Sequence, residues 1–313
     1  MYGYIIRRLL ATIPVMVVVG LVVFLLLHLT PGDPAAVIAG DYASPEDVER
    51  IREKLGLDRP IHVQFFTWAG AVLQGDLGTS IFSNLPVTHL IGQRLEPTIA
   101  LSVSTMIFAI LLAVPMGIIA AWKAGALTDR AIMAFAVLGF SVPVFVIGYV
   151  LMYVFALKLG WFPVQGYKPI SEGFWPFLSS IALPTVALGL VYTALIARIT
   201  RASVLEVLTE DYIRTAKSKG LNNAGLLLRH ALRNAAVPIV TIIGIGLTLL
   251  IGGVVVTESV FNIPGLGRLT IDAVLRRDYP VIQGVILVFS GVYVFVNLLI
   301  DLTYTVLDPR IRY

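Results

Sequence analysis

The chain has 313 residues, 58% hydrophobic and 13% charged, with no cysteine and a formal net charge of +4. Soluble domains carry about 25% charged residues, so a soluble fold of this length would leave too much apolar surface in water. The lack of cysteine removes a disulfide framework and a thiolate metal site, and the placement of the excess bases argues against nucleic acid as the partner.

Six long stretches contain no Asp, Glu, Lys or Arg: 9–32, 97–122, 131–157, 173–197, 234–257 and 279–300. Each exceeds the roughly 20 residues that a helix needs to cross a hydrocarbon core. An all-α polytopic membrane protein with six transmembrane helices is expected. The first stretch follows Arg7 and Arg8 and is too long for a signal-peptide core, so residues 1–30 are read as an uncleaved first helix.

Residues 31–95 form a polar segment between the first and second spans. Ser44 as N-cap, Pro45 at the first helical position, Asp47 at the capping-box position and Gly56 as the stop predict a short helix. Val48, Ile51 and Leu55 give it one apolar face. A second apolar-faced stretch, 61–73, carries Phe65, Phe66, Trp68 and Val72 and ends at Gly75. The segment is expected to be an ordered cap at the external mouth.

The five spans of 96–307 are joined by a turn at Asp129, a loop over 161–175, a long polar segment within 198–236, and a segment over 258–278; residues 308–313 form a tail. Pro14, Pro115, Pro143, Pro184 and Pro238 fall in or beside spans and predict kinks. Arg7, Arg8, Lys123, Arg130, the seven bases from Arg198 to Arg233, Arg310 and Arg312 share one side, while nine acids lie between Asp33 and Glu96 on the other. The positive-inside rule then places both termini in the cytoplasm. No internal repeat marks the inverted symmetry of many secondary transporters.

No catalytic constellation can be assembled. His28, His62, His89 and His230 are scattered, and no Gly-Lys pair offers a phosphate-binding loop of the Walker type. Ion-coupled carriers hold ionisable groups near mid-membrane, whereas His28, Glu258 and Asp301 only border spans and read as interfacial side chains.

The segment 214–234 holds five bases and no acid between two very apolar spans. Leu205, Leu208, Tyr212 and Ala216 suggest a helix with one apolar face. Lys217 and Lys219 suit its C-terminal end, and Gly220 supplies a left-handed stop. Asn222 or Asn223 can cap a second short helix, 224 to about 236, with Leu226, Leu227 and Leu228 crowded beside Arg229, His230 and Arg233. Such an elbow fits a socket on a partner; its bases could equally rest on anionic lipid.

The elbow resembles the coupling loop of permease subunits in ATP-binding-cassette importers, in the branch that carries dipeptides, oligopeptides, glutathione or nickel. Arg214, Thr215 and Ala216 stand where that family has Glu-Ala-Ala, Gly220 matches, and His230 to Arg233 replace the closing motif. The peptide branch has the same Asp211 to Ala216 and Arg229 to Ala235 strings, and the likeness extends through the motifs at 31–34, 55–60, 75–80, 264–268, 276–280 and the C-terminus.

The resemblance implies a type I importer permease fold in a bacterial or archaeal plasma membrane, as the first-permease (B-type) subunit. It implies a second related permease, two cytoplasmic ATPase subunits and an extracytoplasmic binding protein as partners, besides membrane lipid, with no nucleic acid. ATP and Mg would be used by the ATPases and no cofactor held by this chain. Asp211, Arg214, Thr215, Ala216, Gly220, Leu226, Leu227, Leu228, Arg229, His230, Arg233 and Asn234 are the expected ATPase-coupling residues. Dipeptides or oligopeptides are the first expected cargo, glutathione or nickel the second, and a self-contained channel or carrier the rival function. The path is expected where the prolines and Gly244, Gly246, Gly252 and Gly253 loosen spans three to five, with Ser141, Tyr192 and Thr248 facing it.

Overall fold

The computed structural model describes residues 2–29, 33–40 and 43–307. Pro31 and Gly32, Asp41, and the tail 308–313 with Arg310 and Arg312 lie outside the described residues. Among the described residues every regular element is a helix. Five of the described helices are long and apolar enough to cross a membrane, and a bent pair makes a sixth span if counted as one.

The sharpest departure from expectation is the third span, which the sequence predicts as one helix over 131–157. It is split into α6 (Leu127–Ser141) and α7 (Val144–Leu151), the latter continued by a π-helical stretch, Met152–Lys158. The two halves meet at 101°. The break has a local cause: Val142 is extended, with φ −89° and ψ 126°, as the residue before a proline tends to be, and Pro143 cannot donate a helical hydrogen bond. Pro115 and Pro184 lie inside unbroken helices, α5 (Val87–Trp122) and α8 (Phe174–Leu208).

The chain divides into two compact units, one of residues up to 95 together with 269–295, the other of residues 96–268 together with the chain from 296. In the first unit, α1 (Tyr2–Leu29) packs against α4 (Ile61–Leu73) through Phe24, whose ring lies 5.3 Å from Phe65 and 5.7 Å from Trp68. His28 Nε2 and Gln64 Oε1 are 3.0 Å apart on the same contact. The expected capping box is present: Asp47 N–H donates to Ser44 Oγ, Ser44 N–H to Asp47 Oδ2, and α3 (Pro45–Leu55) stops at a left-handed Gly56. A short helix that the sequence does not announce, α2 (Pro34–Ala39), is capped by Asp33, whose other carboxylate oxygen takes Arg52 Nη2 at 2.6 Å. The loop after Gly75 is fastened by Asp278, just ahead of α14 (Tyr279–Leu307): Ser80 Oγ donates to Oδ2 at 2.5 Å and Ile81 N–H to Oδ1 at 3.2 Å.

The second unit holds the main apolar core, where Leu101, Met106 and Ala109 of α5 meet Leu188, Tyr192 and Ile196 of α8 and Leu250 and Val254 of α12 (Ala236–Val260). Small residues set the spacing. A Cβ on Gly246 would meet Met106 and Tyr192, one on Gly253 would run into Leu188, and one on Gly244 into Ile300 of α14. Gly252 faces open space.

Candidate functional site

The long polar segment folds as an elbow, but not as the two continuous helices expected. α8 ends at Leu208, and α9 (Asp211–Ser218) starts afresh after Thr209 and Glu210. The break re-aims the apolar face: Ile213 is buried, while Tyr212 is exposed. Within α9 the Thr215 hydroxyl donates to the Asp211 carbonyl, and Arg214 and Asp211 form an exposed 3.7 Å ion pair that adds little stability. Ala216 is half-buried.

α9 closes in a Schellman motif. Leu221 N–H donates to the Ala216 carbonyl, Gly220 N–H to the Lys217 carbonyl, and Gly220 has φ 84°, the left-handed geometry expected of it. Asn222 caps the next helix by accepting from Gly225 N–H at 2.8 Å. α10 (Asn223–Gly225) then gives way to a π-helical stretch, Leu226–Ala231, and to α11 (Leu232–Asn234). π-helical turns are rare and recur at functional positions.

This wide turn distributes the three leucines unequally. Leu226 is buried in its own chain, Leu227 is half-buried, and Leu228 is 61% exposed beside exposed Arg229, Arg233 and Asn234. The outward apolar element is therefore Leu228 alone of the three. The elbow's inner side is anchored: Ala231 and Ala235 are buried with Ile118 and Ala121 of α5, Val204 of α8 and Ile239 of α12, and Leu227 and Leu232 pack against that cluster. Asn234 Nδ2 donates to the His230 carbonyl at 2.8 Å, within the elbow's own last turns. Although Tyr212 is exposed overall, partial desolvation of its phenol and then the neighbouring Glu210 charge raise its pKa above the usual phenol value.

Beside the elbow lies a brace that the sequence does not disclose. Asp129, buried near the start of α6, accepts from Arg201 Nε at 2.6 Å and Nη2 at 2.7 Å and from Gly125 N–H at 2.9 Å. This bidentate pair fixes the 123–126 turn to α8 and belongs to the strong class of charge-assisted bonds. An acid at the mouth of an apolar stretch is the one signal that could have drawn attention to Asp129; its partner lies 72 residues away in sequence.

The expected path residues sit in three different settings. Ser141 is exposed, and its hydroxyl donates to the Val137 carbonyl of its own helix. Tyr192 is buried in the core, and Thr248 is half-buried on α12.

A family model described as the inner membrane component of binding-protein-dependent transport systems matches residues 113–313, and one for the N-terminal part of such components matches residues 1–102. The chain is similar to a protein of Sinorhizobium fredii named "Probable peptide ABC transporter permease protein", with 56% identity over 310 residues, 99% of each chain. It is similar to proteins named "Glutathione transport system permease protein" in Salmonella typhimurium, with 44% identity, and in Escherichia coli, with 43%, each over the full length of both chains. Among solved structures, the inward-facing MetNI methionine ABC transporter aligns with a TM-score of 0.59 at 16% identity, covering 70% of this chain and 96% of that one, a likeness of fold.

Proposed function

The chain belongs to the family of inner-membrane components of binding-protein-dependent transport systems, and from that membership we propose that it forms half of the translocation path of an importer for dipeptides and short oligopeptides. The observation that carries this cargo is the end-to-end identity with a relative named as a peptide permease. Glutathione is the second reading, because full-length relatives bear that name; it is itself a small amide-linked zwitterion, so one cavity chemistry would serve both.

In this proposal a second, related permease completes the path, an extracytoplasmic binding protein delivers cargo, and two cytoplasmic subunits hydrolyse ATP with Mg. In it both termini and the elbow face the cytoplasm, a placement supported by the bias of the basic residues toward that side. The elbow is the coupling element: Leu228, Arg229 and Arg233 meet the ATPase cleft, and Asp211, Arg214, Thr215, Ala216 and Gly220 shape the helix and turn that present them. Motion of the ATPase passes inward through the cluster of Ala231 and Ala235 on α5, α8 and α12, and through the brace that holds α6 to α8.

Two assays on one strain test the reading. The tagged chain, extracted in mild detergent, should bring an ATPase subunit with it. Cells depending on it should accumulate labelled dialanine in preference to nickel, with glutathione the discriminating third probe. Uptake of nickel alone would overturn the peptide cargo, and nucleotide-independent uptake would point to a self-contained carrier.

A further inference from the structure

The end of α12 remote from the elbow carries an acid that coupling does not use. Glu258 has 0% exposure, so it is not the interfacial side chain that its place beside a span suggests. Its Oε1 accepts from Thr98 Oγ1 of α5 at 2.5 Å, and its Oε2 accepts from Arg268 N–H at 3.0 Å. The same Thr98 oxygen accepts from Leu266 N–H at 2.8 Å. Leu266 opens α13 (Leu266–Arg276), so the pair satisfies amide groups that a helix start would otherwise leave without partners.

The turn is shaped to the acid. A Cβ on Gly265 would overlap the Glu258 carboxylate, and one on Gly267 would strike the Val255 backbone and the same carboxylate. Phe261, Ile263 and Leu266 of the same turn are buried, and Ile263 N–H returns to the Glu258 carbonyl at 2.9 Å. For packing alone an apolar side chain would serve better, since burying a carboxylate is costly. What the carboxylate supplies is a directional set of bonds joining the end of α12, the turn that follows it and α5, which lies 160 residues away in sequence.

We infer that Glu258 is a positioning residue for transport: with Thr98 it forms a latch that fastens the 261–268 turn to the first third of α5 and the far end of α12, so that these segments move as one body while the path opens and closes. The inference rests on the permease reading for its consequence, though not for its geometry.

The test uses the assembled transporter with Ile263→Cys, the single thiol in a chain without cysteine. A polar maleimide should label this buried position slowly, with or without nucleotide. Adding Glu258→Gln or Thr98→Val should speed labelling at least tenfold, and Thr98→Ser, which keeps the hydroxyl, should leave it slow. In chains that retain Ile263, Glu258→Gln and Thr98→Val should lower uptake of labelled dialanine and glutathione about tenfold per assembled complex while ATP hydrolysis persists; loss of packing alone would lower both together. Slow labelling and full uptake in Glu258→Gln, a Thr98→Val variant matching Thr98→Ser, or a parallel fall of uptake and hydrolysis would each overturn the latch. If Glu258→Gln does not accumulate, the Thr98 pair decides. Absence of ATP-dependent uptake by the unsubstituted transporter would sink the permease reading instead, and the labelling comparison would still judge the latch.

Discussion

Leu228 and Leu227 are neighbours with opposite expectations. Leu228 is 61% exposed, so Leu228→Asp should leave the fold of this chain within about 0.5 kcal/mol of its stability, as most surface changes do. In the proposed docked state the new charge would be buried without a partner, at a cost of several kcal/mol, and ATPase copurification should vanish while membrane insertion persists. Leu227→Asp places a charge in the cluster around Ala231 and should lower the thermal midpoint of the chain itself. Equal thermal midpoints for the two variants would refute this division of roles. Gly220→Val tests the backbone instead: a Cβ there meets nothing within 4 Å, so the whole penalty is the left-handed φ of 84°, roughly 1–2 kcal/mol. Gly220→Asn should cost visibly less in the same melt. The stop at Gly220 and the caps at Ser44 and Asn222 are readable from the sequence because each depends on residues within a few positions. The inward turn of Leu226 is not, because it follows from a π-helical stretch that no local pattern of apolar residues specifies.

Between elements, the brace and the outer segment make separate predictions. Asp129→Asn leaves Arg201 facing a neutral amide; since Arg201 keeps partial exposure, roughly 3 kcal/mol is expected, the lower end for breaking a buried pair. Urea or thermal unfolding in detergent should show that loss, and Arg201→Lys should recover only part of it, because lysine cannot reproduce the bidentate fork. The segment between α1 and α5 is proposed as part of the surface that meets the binding protein. Deleting residues 41–73 should abolish capture of that protein in a pull-down, and unchanged capture would reduce the segment to a lid. Two of the three helices of this segment were legible, α3 from its capping and α4 from its apolar run over 61–73, because these are local signals; α2 was not. The split of the third span was not: Pro143 announces a kink, but a proline alone does not tell a bend within one helix, as at Pro115 and Pro184, from a break of 101°.

For the whole molecule, composition and the six apolar stretches suffice for a helical membrane protein, and the structure agrees in five spans with a bent pair as the sixth. The long-range bonds that organise its interior, Thr98 with Glu258 and Asp129 with Arg201, join positions 160 and 72 residues apart and leave no periodic trace in the sequence. The central claim is that this chain moves cargo only when an ATPase drives its elbow. It is tested most directly by uptake of labelled dialanine and glutathione into vesicles carrying the permease pair, both ATPases and the binding protein, with the unsubstituted chain and with Leu228→Asp side by side. The account predicts ATP-dependent accumulation of at least one of the two by the unsubstituted chain and none by the variant; accumulation without ATP, or equal accumulation by both chains, would contradict it.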